Sequence, residues 1–545
     1  MGINKIGWQT AVLATSVIAG IGVVTHTADA KAKQVISTYS STEISSLDTA
    51  KATELNAFTQ LDNITEGLYV YDSKGRPQKA LAQKTKISED KKTYTIDIRK
   101  DAKWSNGDPV TAADFVFAWQ RAVDPKTASE YAYLFDNIEN AKAIQDGEKT
   151  PDTLGVKATD KHQLQIQLVA PQEYFKMILA RETLAPLNEK FVEQQGDKYG
   201  TSSKTTLYNG PFVSKGWSGS TTQWTLNKNP YYWDKKHVKL SKINYSVIKD
   251  PSTAYNLYQT KKLDQMTLVG EQAQQLSKHK DVVKRNLAAT SYLQYNLKKN
   301  NGLENAKIRQ AISLSINRKQ LTERILKNGS KPAAGFVPRQ VATKPNGKED
   351  FYDATKVKNT AEYKPKLAKK LFAEGLKEVG KDKISATVIT ADASASEQVA
   401  VFIQDQLQKN LPKLELTLQK VPQKSRIASV NAGNFDISFQ GWSADFADPY
   451  TFLQIFPSDS AQNHTGWKNE AYDQAITDSL NKNAANKTAR WNDLVKAEKI
   501  LMKDQVVTPI YQTNNEDLVN PRLKGIGYNQ INGHYSYKLA YVTGK

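Results

Sequence analysis

The chain of 545 residues contains no cysteine. That absence excludes a disulfide framework, a thiol nucleophile, a thiolate metal site and lipid attachment through an N-terminal cysteine. Histidine is scarce, with six in all, and no two form H-E-x-x-H or a close pair suited to a metal. There is no G-x-S-x-G elbow and no glycine-rich phosphate loop ending in Lys-Ser or Lys-Thr. A Cys/His finger, a helix-turn-helix signature and an arginine-rich patch are also missing, so nucleic acid is not an expected partner. No internal repeat is evident, and no apolar run beyond the first thirty residues is long enough to cross a bilayer. What remains is binding without covalent chemistry: no enzyme, no catalytic residue, no metal and no cofactor are expected.

Residues 1–30 read as a secretory signal. Lys5 marks a short basic region, AVLATSVIAGIGVV at 11–24 is apolar but short of the roughly 20 residues of a membrane span, and Ala28-Asp29-Ala30 fits a cleavage site. Ala30-Lys31-Ala32 is an alternative site. Removal takes one charge of each sign, Lys5 and Asp29, so the net charge of +19 persists. The basic residues are dispersed, which suits attraction to an anionic cell wall or membrane surface, or plain solubility. The 515 residues left after cleavage (545 − 30) exceed a single core and imply two or three domains in a secreted monomer.

Apolar periodicity gives an alternation of strands and helices. Strands are expected at Gln34–Thr38, Thr93–Ile98, His162–Val169, Trp224–Asn227, Ile243–Val247, Tyr292–Leu297, Ile384–Ile389, Leu414–Leu418 and Phe435–Phe439. Helices are expected at Phe58–Tyr71, Ala254–Leu263, Ile308–Ile316, Lys366–Leu376 and Glu397–Leu407. Another opens at Thr111 and Asp114, which are spaced as a capping box, and stops at Asp124-Pro125. Asp72–Gly75 is a turn by composition. Strand and helix in repeated order point to an α/β fold.

The run GWSADFADPYTFLQIF at 441–456 is the richest in binding chemistry. Asp445 stands between Trp442 and Phe446, just past an alternating strand, where open α/β sheets place ligands. A carboxylate among aromatics suits a cationic, partly apolar ligand. Asp448 invites comparison with a glycosidase pair. However, Pro449 follows it, both acids lie in one loop, and the better reading is a helix cap with proline at the first helical position. Trp442 is the strongest aromatic candidate, with Tyr131 and Tyr133 behind it. His464 is read as a surface or structural residue.

Several runs then coincide in order: DAKWSNGDPVTAADFVFAWQRAVDP at 101–125, TASEYAYL at 127–134, YNGPF at 208–212, LNKNPYYWD at 226–234, KIRQAISLSINRKQL at 307–321 and GWSADFADPYTFL at 441–453. Together they resemble the extracellular solute-binding proteins (family 5) of oligopeptide ABC importers. The resemblance implies a periplasmic-binding-protein-like α/β fold, two lobes closing on a cleft, with an additional domain. It implies domain I at 31–77, 205–300 and 505–545, domain II at 78–204, and domain III at 301–504. It also implies an oligopeptide ligand delivered to an ABC permease and ATPase complex, held by main-chain hydrogen bonds as in strand addition. Asp445, in Trp442-Ser443-Ala444-Asp445, inherits the role of taking the ligand's amino group, with Tyr131 and the segment around Glu43 and Ser45 as weaker carry-overs.

Two departures stand out. The lipid-bearing cysteine of Gram-positive members is absent, and Phe439 replaces an arginine that in some relatives meets a ligand carboxylate. The first leaves open a surface-associated binding or adhesion protein without a transporter. The second leaves a carboxylate clamp without a residue and makes longer or more apolar peptides plausible.

Overall fold

The computed structural model describes residues 33–72 and 75–544. The expected signal at 1–30 and two residues of the turn at 72–75 lie outside them. Among the described residues no helix is long and apolar enough to cross a membrane.

Three sheets carry the architecture. In the first, Val35–Ser40 runs parallel to Lys242–Val247, which continues antiparallel to Gln223–Lys228 and Phe212–Lys215. The alternation read from sequence is realised there: Ile36 and Thr38 are buried and their neighbours half-exposed. The second sheet, antiparallel, orders Ala82–Ile87, Thr93–Ile98, Gln163–Gln167 and Val156–Asp160. Over it lies the helix Ala112–Val123, opened by the expected Thr111–Asp114 capping box. That helix buries Phe115, Ala118, Trp119 and Ala122, one face of a 3.6-residue period. Each large apolar side chain so buried contributes roughly 1.5–3 kcal/mol.

The third and largest sheet orders Gln265–Leu268, Val507–Val519, Val282–Tyr295, Ile437–Ser443, Ile384–Ala391 and Leu414–Val421. Its last two strands run parallel, linked by the helix Ser394–Asn410. The long pair Val282–Tyr295 and Val507–Val519 joins two separate apolar cores. Leu518 packs with Met266 and Leu268, whereas Leu293 and Tyr295 pack with Ile437 and Val388. Pairing register breaks between Asn286 and Thr290. An irregularity of this kind bends a strand locally and increases its twist.

Some expected boundaries move. The helix expected over Phe58–Tyr71 is Leu55–Ile64, and Tyr69–Tyr71 is a strand paired with Pro77–Lys79. Thr65 ends the helix, returning both its N–H and its hydroxyl to the Leu61 carbonyl at 2.8 Å. Glu66 is then drawn away by remote partners: its N–H donates to Asn209 Oδ1 and its carboxylate accepts from Tyr232 and Trp233. Tyr292–Leu297 proves to be the end of the much longer strand Val282–Tyr295. The strand expected at Phe435–Phe439 is Ile437–Ser443, so Trp442 and Ser443 lie at a strand end and not in a loop.

Gly200 fixes the N-terminal segment to this frame. Its φ is +72°, and a Cβ there would lie 2.5 Å from Asp48 Cβ and 2.7 Å from Asp48 Cα. Asp48 in turn holds both arms of Arg121 at 3.0 and 2.6 Å. Gly200→Ala therefore combines a left-handed backbone with a backbone clash, and should cost about 3 kcal/mol. Chemical denaturation should show it as a lowered midpoint with an unchanged slope.

Candidate functional site

Asp445 follows the strand Ile437–Ser443 directly, and the strand's pairing aims it. Ser443 sits opposite Ala289 in register, and the Ala444 N–H donates to the Ala288 carbonyl at 2.8 Å. Behind it the Asp445 N–H donates to Thr451 Oγ1 at 2.8 Å. Asp448 ends the turn as a helix cap, accepting from the Tyr450 N–H at 2.9 Å, and it also takes both arms of Arg490 at 2.7 and 2.8 Å. The two acids of the run thus have separate tasks.

The Asp445 carboxylate is 2 % exposed. Its Oδ2 accepts from the Tyr133 hydroxyl at 2.9 Å and from Thr451 Oγ1 at 3.2 Å, while Oδ1 lies 3.3 Å from Arg181 Nη2. Burial raises its pKa and the Arg181 charge opposes that rise. It lines a cavity of about 360 Å³ together with Trp442, Ser443, Ala444 and Tyr131. Trp442 donates to the Thr451 carbonyl at 2.9 Å, and its ring lies 8° from parallel with that of Tyr131. Glu43 and Ser45 are placed differently. Glu43 pairs with Lys249, which also reaches Asp392, and Ser45 donates to Glu54 through its N–H and hydroxyl. It is Glu54 that faces the cavity.

Sequence reading missed the groups behind Asp445. Arg181 is 2 % exposed and stands between Asp445 and Glu182, whose Oε2 is 3.4 Å away. His534 Nδ1 lies 3.0 Å from Glu182 and 2.8 Å from Asp62. Burial disfavours the His534 cation, but Glu182 and Asp62 outweigh it and push its pKa up to about 9. Asp62 is raised to about 7 by burial and by Glu182. Burial also works against the Glu182 charge, yet Arg181 and then His534 hold it well below the usual carboxylate range. Asp62, Glu182 and His534 bring ligand atoms within 4.8 Å of one another, the spacing of a metal site. Arg181 beside Glu182 supplies a fixed cation that opposes a metal ion there. No motif marks Arg181 or His534; tertiary packing alone joins them to Asp445. His464, read as a surface or structural residue, lines the cavity.

Contacts cross from the segments 43–182 and 249 to the segment 392–490. Besides Tyr133 and Arg181 on Asp445, Tyr174 stacks on Phe446 with ring centroids 4.7 Å apart. Lys142–Asp459, Lys487–Glu173 and Lys249–Asp392 add ion pairs at 3.2, 3.1 and 2.8 Å. A second cavity of about 1030 Å³ lies between residues 129–178, 342–345 and 447–494 and shares only Glu130 with the first. Although it is larger, its cations Lys142, Lys487 and Arg490 are each already paired with a carboxylate, and Asp445 opens on the smaller one.

Residues 76–464 match the model of the bacterial extracellular solute-binding proteins, family 5. The chain is 38% identical over 518 residues to a dipeptide-binding protein of Lactococcus lactis subsp. cremoris, covering 92% of this chain and 93% of that one. It superposes on Listeria monocytogenes OppA bound to peptide with a TM-score of 0.90 at 41% identity, covering 94% of this chain and 99% of the other. On the unliganded open form of the murein tripeptide-binding protein MppA it reaches only 0.61 at 31% identity, covering 94% and 98%. Another structure of that protein, from Escherichia coli, gives 0.85 at 31% identity, covering 94% and 99%. The lobes here are therefore arranged unlike those of that open form.

Proposed function

The chain belongs to the bacterial extracellular solute-binding proteins of family 5, a family of binding proteins and not enzymes, and from that premise we propose that it captures peptides in its interdomain cleft, taking the free amino end at Asp445. The observation that carries this reading is the buried Asp445 carboxylate on the cavity wall. Its cation, Arg181, is shared with Glu182, at 3.3 and 3.4 Å, while His534 sits between Glu182 and Asp62. The pairing of Asp445 is thus incomplete on the side that faces the cavity. An incoming ammonium completes it in a low-dielectric setting, where such a pair is worth far more than in water.

Around the ammonium, Trp442 and Tyr131 offer aromatic faces, and the strand end at Ser443 and Ala444 offers main-chain groups for strand-like pairing. Glu43 and Ser45 act from behind: Ser45 positions Glu54, and Glu43 with Lys249 and Asp392 ties the closed cleft. The residue ranges given for domains I to III follow the same reading, with Asp445 carried by domain III. Delivery to an ABC permease and ATPase completes the proposal, and the net charge of +19 suits retention at an anionic cell surface.

Mass spectrometry of ligand released from protein purified from its native host should find peptides. Calorimetry with a mixed short-peptide library should then show saturable binding. Absence of both would overturn the reading.

A further inference from the structure

The second cavity, of about 1030 Å³, is walled by residues 129–178 on one side and 447–494 on the other. Its charged lining is unevenly matched. Lys142 is shared between Asp146 at 2.9 Å and Asp459 at 3.2 Å, Lys487 answers Glu173, and Arg490 answers Asp448. Asp136, Asp473 and Glu130 have only neutral donors. Asp136 accepts from Gln145 Nε2 at 2.9 Å, Asp473 from the N–H and hydroxyl of Ser458 at 3.0 and 2.5 Å, and Glu130 from Asn431 Nδ2 at 2.6 Å. Among the described residues no cation lies within ion-pair distance of these three acids. Burial pushes the Asp136 pKa up to about 7; Gln145 and a more distant Lys142 oppose the rise, while Asp459 and Asp146 add to it. Ser129 stands on the same wall, 8 % exposed, and its hydroxyl has no hydrogen-bond partner. A buried hydroxyl left unpaired is costly, so an unmet polar group adjoins the unmatched acids.

The spacing of the acids selects among cations. Among the described residues, the group of three acids or histidines whose ligand atoms lie within 4.8 Å of one another is Asp62, Glu182 and His534, which are not part of this cavity. The acids of the second cavity are too scattered to chelate one metal ion, which gathers its oxygens at a single centre. Tyr450, Trp491, Ile476 and Leu480 share the lining with them. Separate anionic points on a partly aromatic wall match a flexible chain that carries several ammonium groups. Its methylenes cover apolar surface while each ammonium meets its own acceptor. The net charge of +19 repels a polycation from the protein as a whole, so retention of one requires a local acidic site.

We propose that the second cavity is a binding site for a linear polyamine, whose ammonium groups are taken by Asp136, Asp473 and Glu130 with the Ser129 hydroxyl as a further acceptor. The ligand then touches both walls, Asp136, Glu130 and Ser129 on one and Asp473 on the other. A ligand that contacts both favours the arrangement in which they meet. Glu130 also lines the first cavity and is held there by Asn431 from the opposite wall. Polyamine and cleft ligand therefore favour the same arrangement, and each raises the affinity of the other by the same factor. This coupling, unlike the site itself, rests on the reading of the first cavity as the peptide site.

The test is calorimetry at about 0.15 M salt, with spermidine, butylamine and Mg²⁺ as separate titrants. Wild-type protein should bind spermidine saturably, at least about tenfold more tightly than butylamine, which carries a single ammonium, and more tightly than Mg²⁺. Asp136→Asn should weaken spermidine at least about tenfold and leave peptide affinity in its absence within about threefold. Thr477 is an exposed wall residue on the helix Glu470–Leu480. Thr477→Lys supplies a tethered ammonium there and should weaken spermidine in the same way. Saturating spermidine should tighten peptide binding at least about threefold. No saturable spermidine binding, binding that neither variant weakens, or displacement of spermidine by a lower concentration of Mg²⁺ would overturn the site. Unchanged peptide affinity with spermidine bound would overturn the coupling. If Asp136→Asn does not fold, Thr477→Lys and the wild-type series decide. The spermidine titration needs no peptide, so a protein that binds spermidine and no peptide would count against the peptide reading and not against this site.

Discussion

Asp445→Asn should weaken binding of peptides with a free amino end by at least about a hundredfold, near 3 kcal/mol, and change binding of N-acetylated peptides by less than about threefold. The substitution keeps shape and hydrogen bonding. An asparagine oxygen can still accept from Tyr133, which now donates at 2.9 Å, and from Thr451. Only the charge is lost, and with it the half-paired carboxylate on the cavity wall that calls for an external cation. Truncating one partner of a desolvated charge pair costs several kcal/mol because the other charge stays buried. Calorimetry with matched peptide pairs reads the result directly. Equal weakening of free and acetylated peptides would remove Asp445 from the role of amino-end clamp and leave it a structural acid held by Arg181.

Glu182→Gln should destabilise the protein by about 3 kcal/mol at pH 6 and by clearly less at pH 9.5. Glu182 is the centre of the cluster, with His534 Nδ1 at 3.0 Å and Arg181 Nη2 at 3.4 Å. The sign follows from His534. Its folded pKa, about 9, is raised above the ordinary histidine value of about 6.5. Its contribution is therefore complete below pH 6.5 and lost as pH climbs through 9, an effect on the order of 3 kcal/mol. Asp62 runs in the same sense at lower pH. Raised to about 7, it holds its proton longer folded than unfolded, so stability falls as pH rises from about 4 to 7. Wild-type protein should thus lose stability steadily from mildly acidic to alkaline pH, and the variant should show a flatter profile above pH 6.5. Urea midpoints at the two pH values measure it. An equal drop at both would mean that Glu182 supports the fold without charging His534.

Local order was largely legible. The alternation at Thr93–Ile98 and at Val35–Ser40 needed only a half-buried sheet to be realised. The Thr111–Asp114 box and the Asp448-Pro449 cap were readable because each joins residues within three positions. The first half of Val282–Tyr295 was not legible. Its residues Val282–Asn286 are half-exposed or exposed, two valines followed by three polar residues, and Val282 and Val283 pair with the remote Leu518 and Asp517, so no period-2 burial marks them. Leu68–Tyr71 misled for the opposite reason: their apolar spacing continues the preceding helix, and only the tertiary hold on Glu66 turns them into a strand.

The candidate site divides along the same line. Asp445 with Trp442 could be found from one short run because its chemistry is contiguous. Arg181, Glu182, Asp62 and His534 could not, since each is an ordinary residue until folding removes water and leaves charge to answer charge. Arg426 is the clearest case. In sequence it is one of 75 basic residues, and Phe439 argues against a carboxylate clamp. In the fold it is a buried cation on the cavity wall, and among the described residues no carboxylate lies within ion-pair distance of it.

The sequence by itself determined the absence of thiol chemistry, the α/β alternation, the family resemblance and the acid proposed to meet the ligand. All of these depend on composition or on neighbours along the chain. The tertiary structure alone decided which charges are desolvated, which are already paired, and which still lack a partner. Burial and pairing arise between segments hundreds of residues apart, and desolvation is what gives those charges their weight.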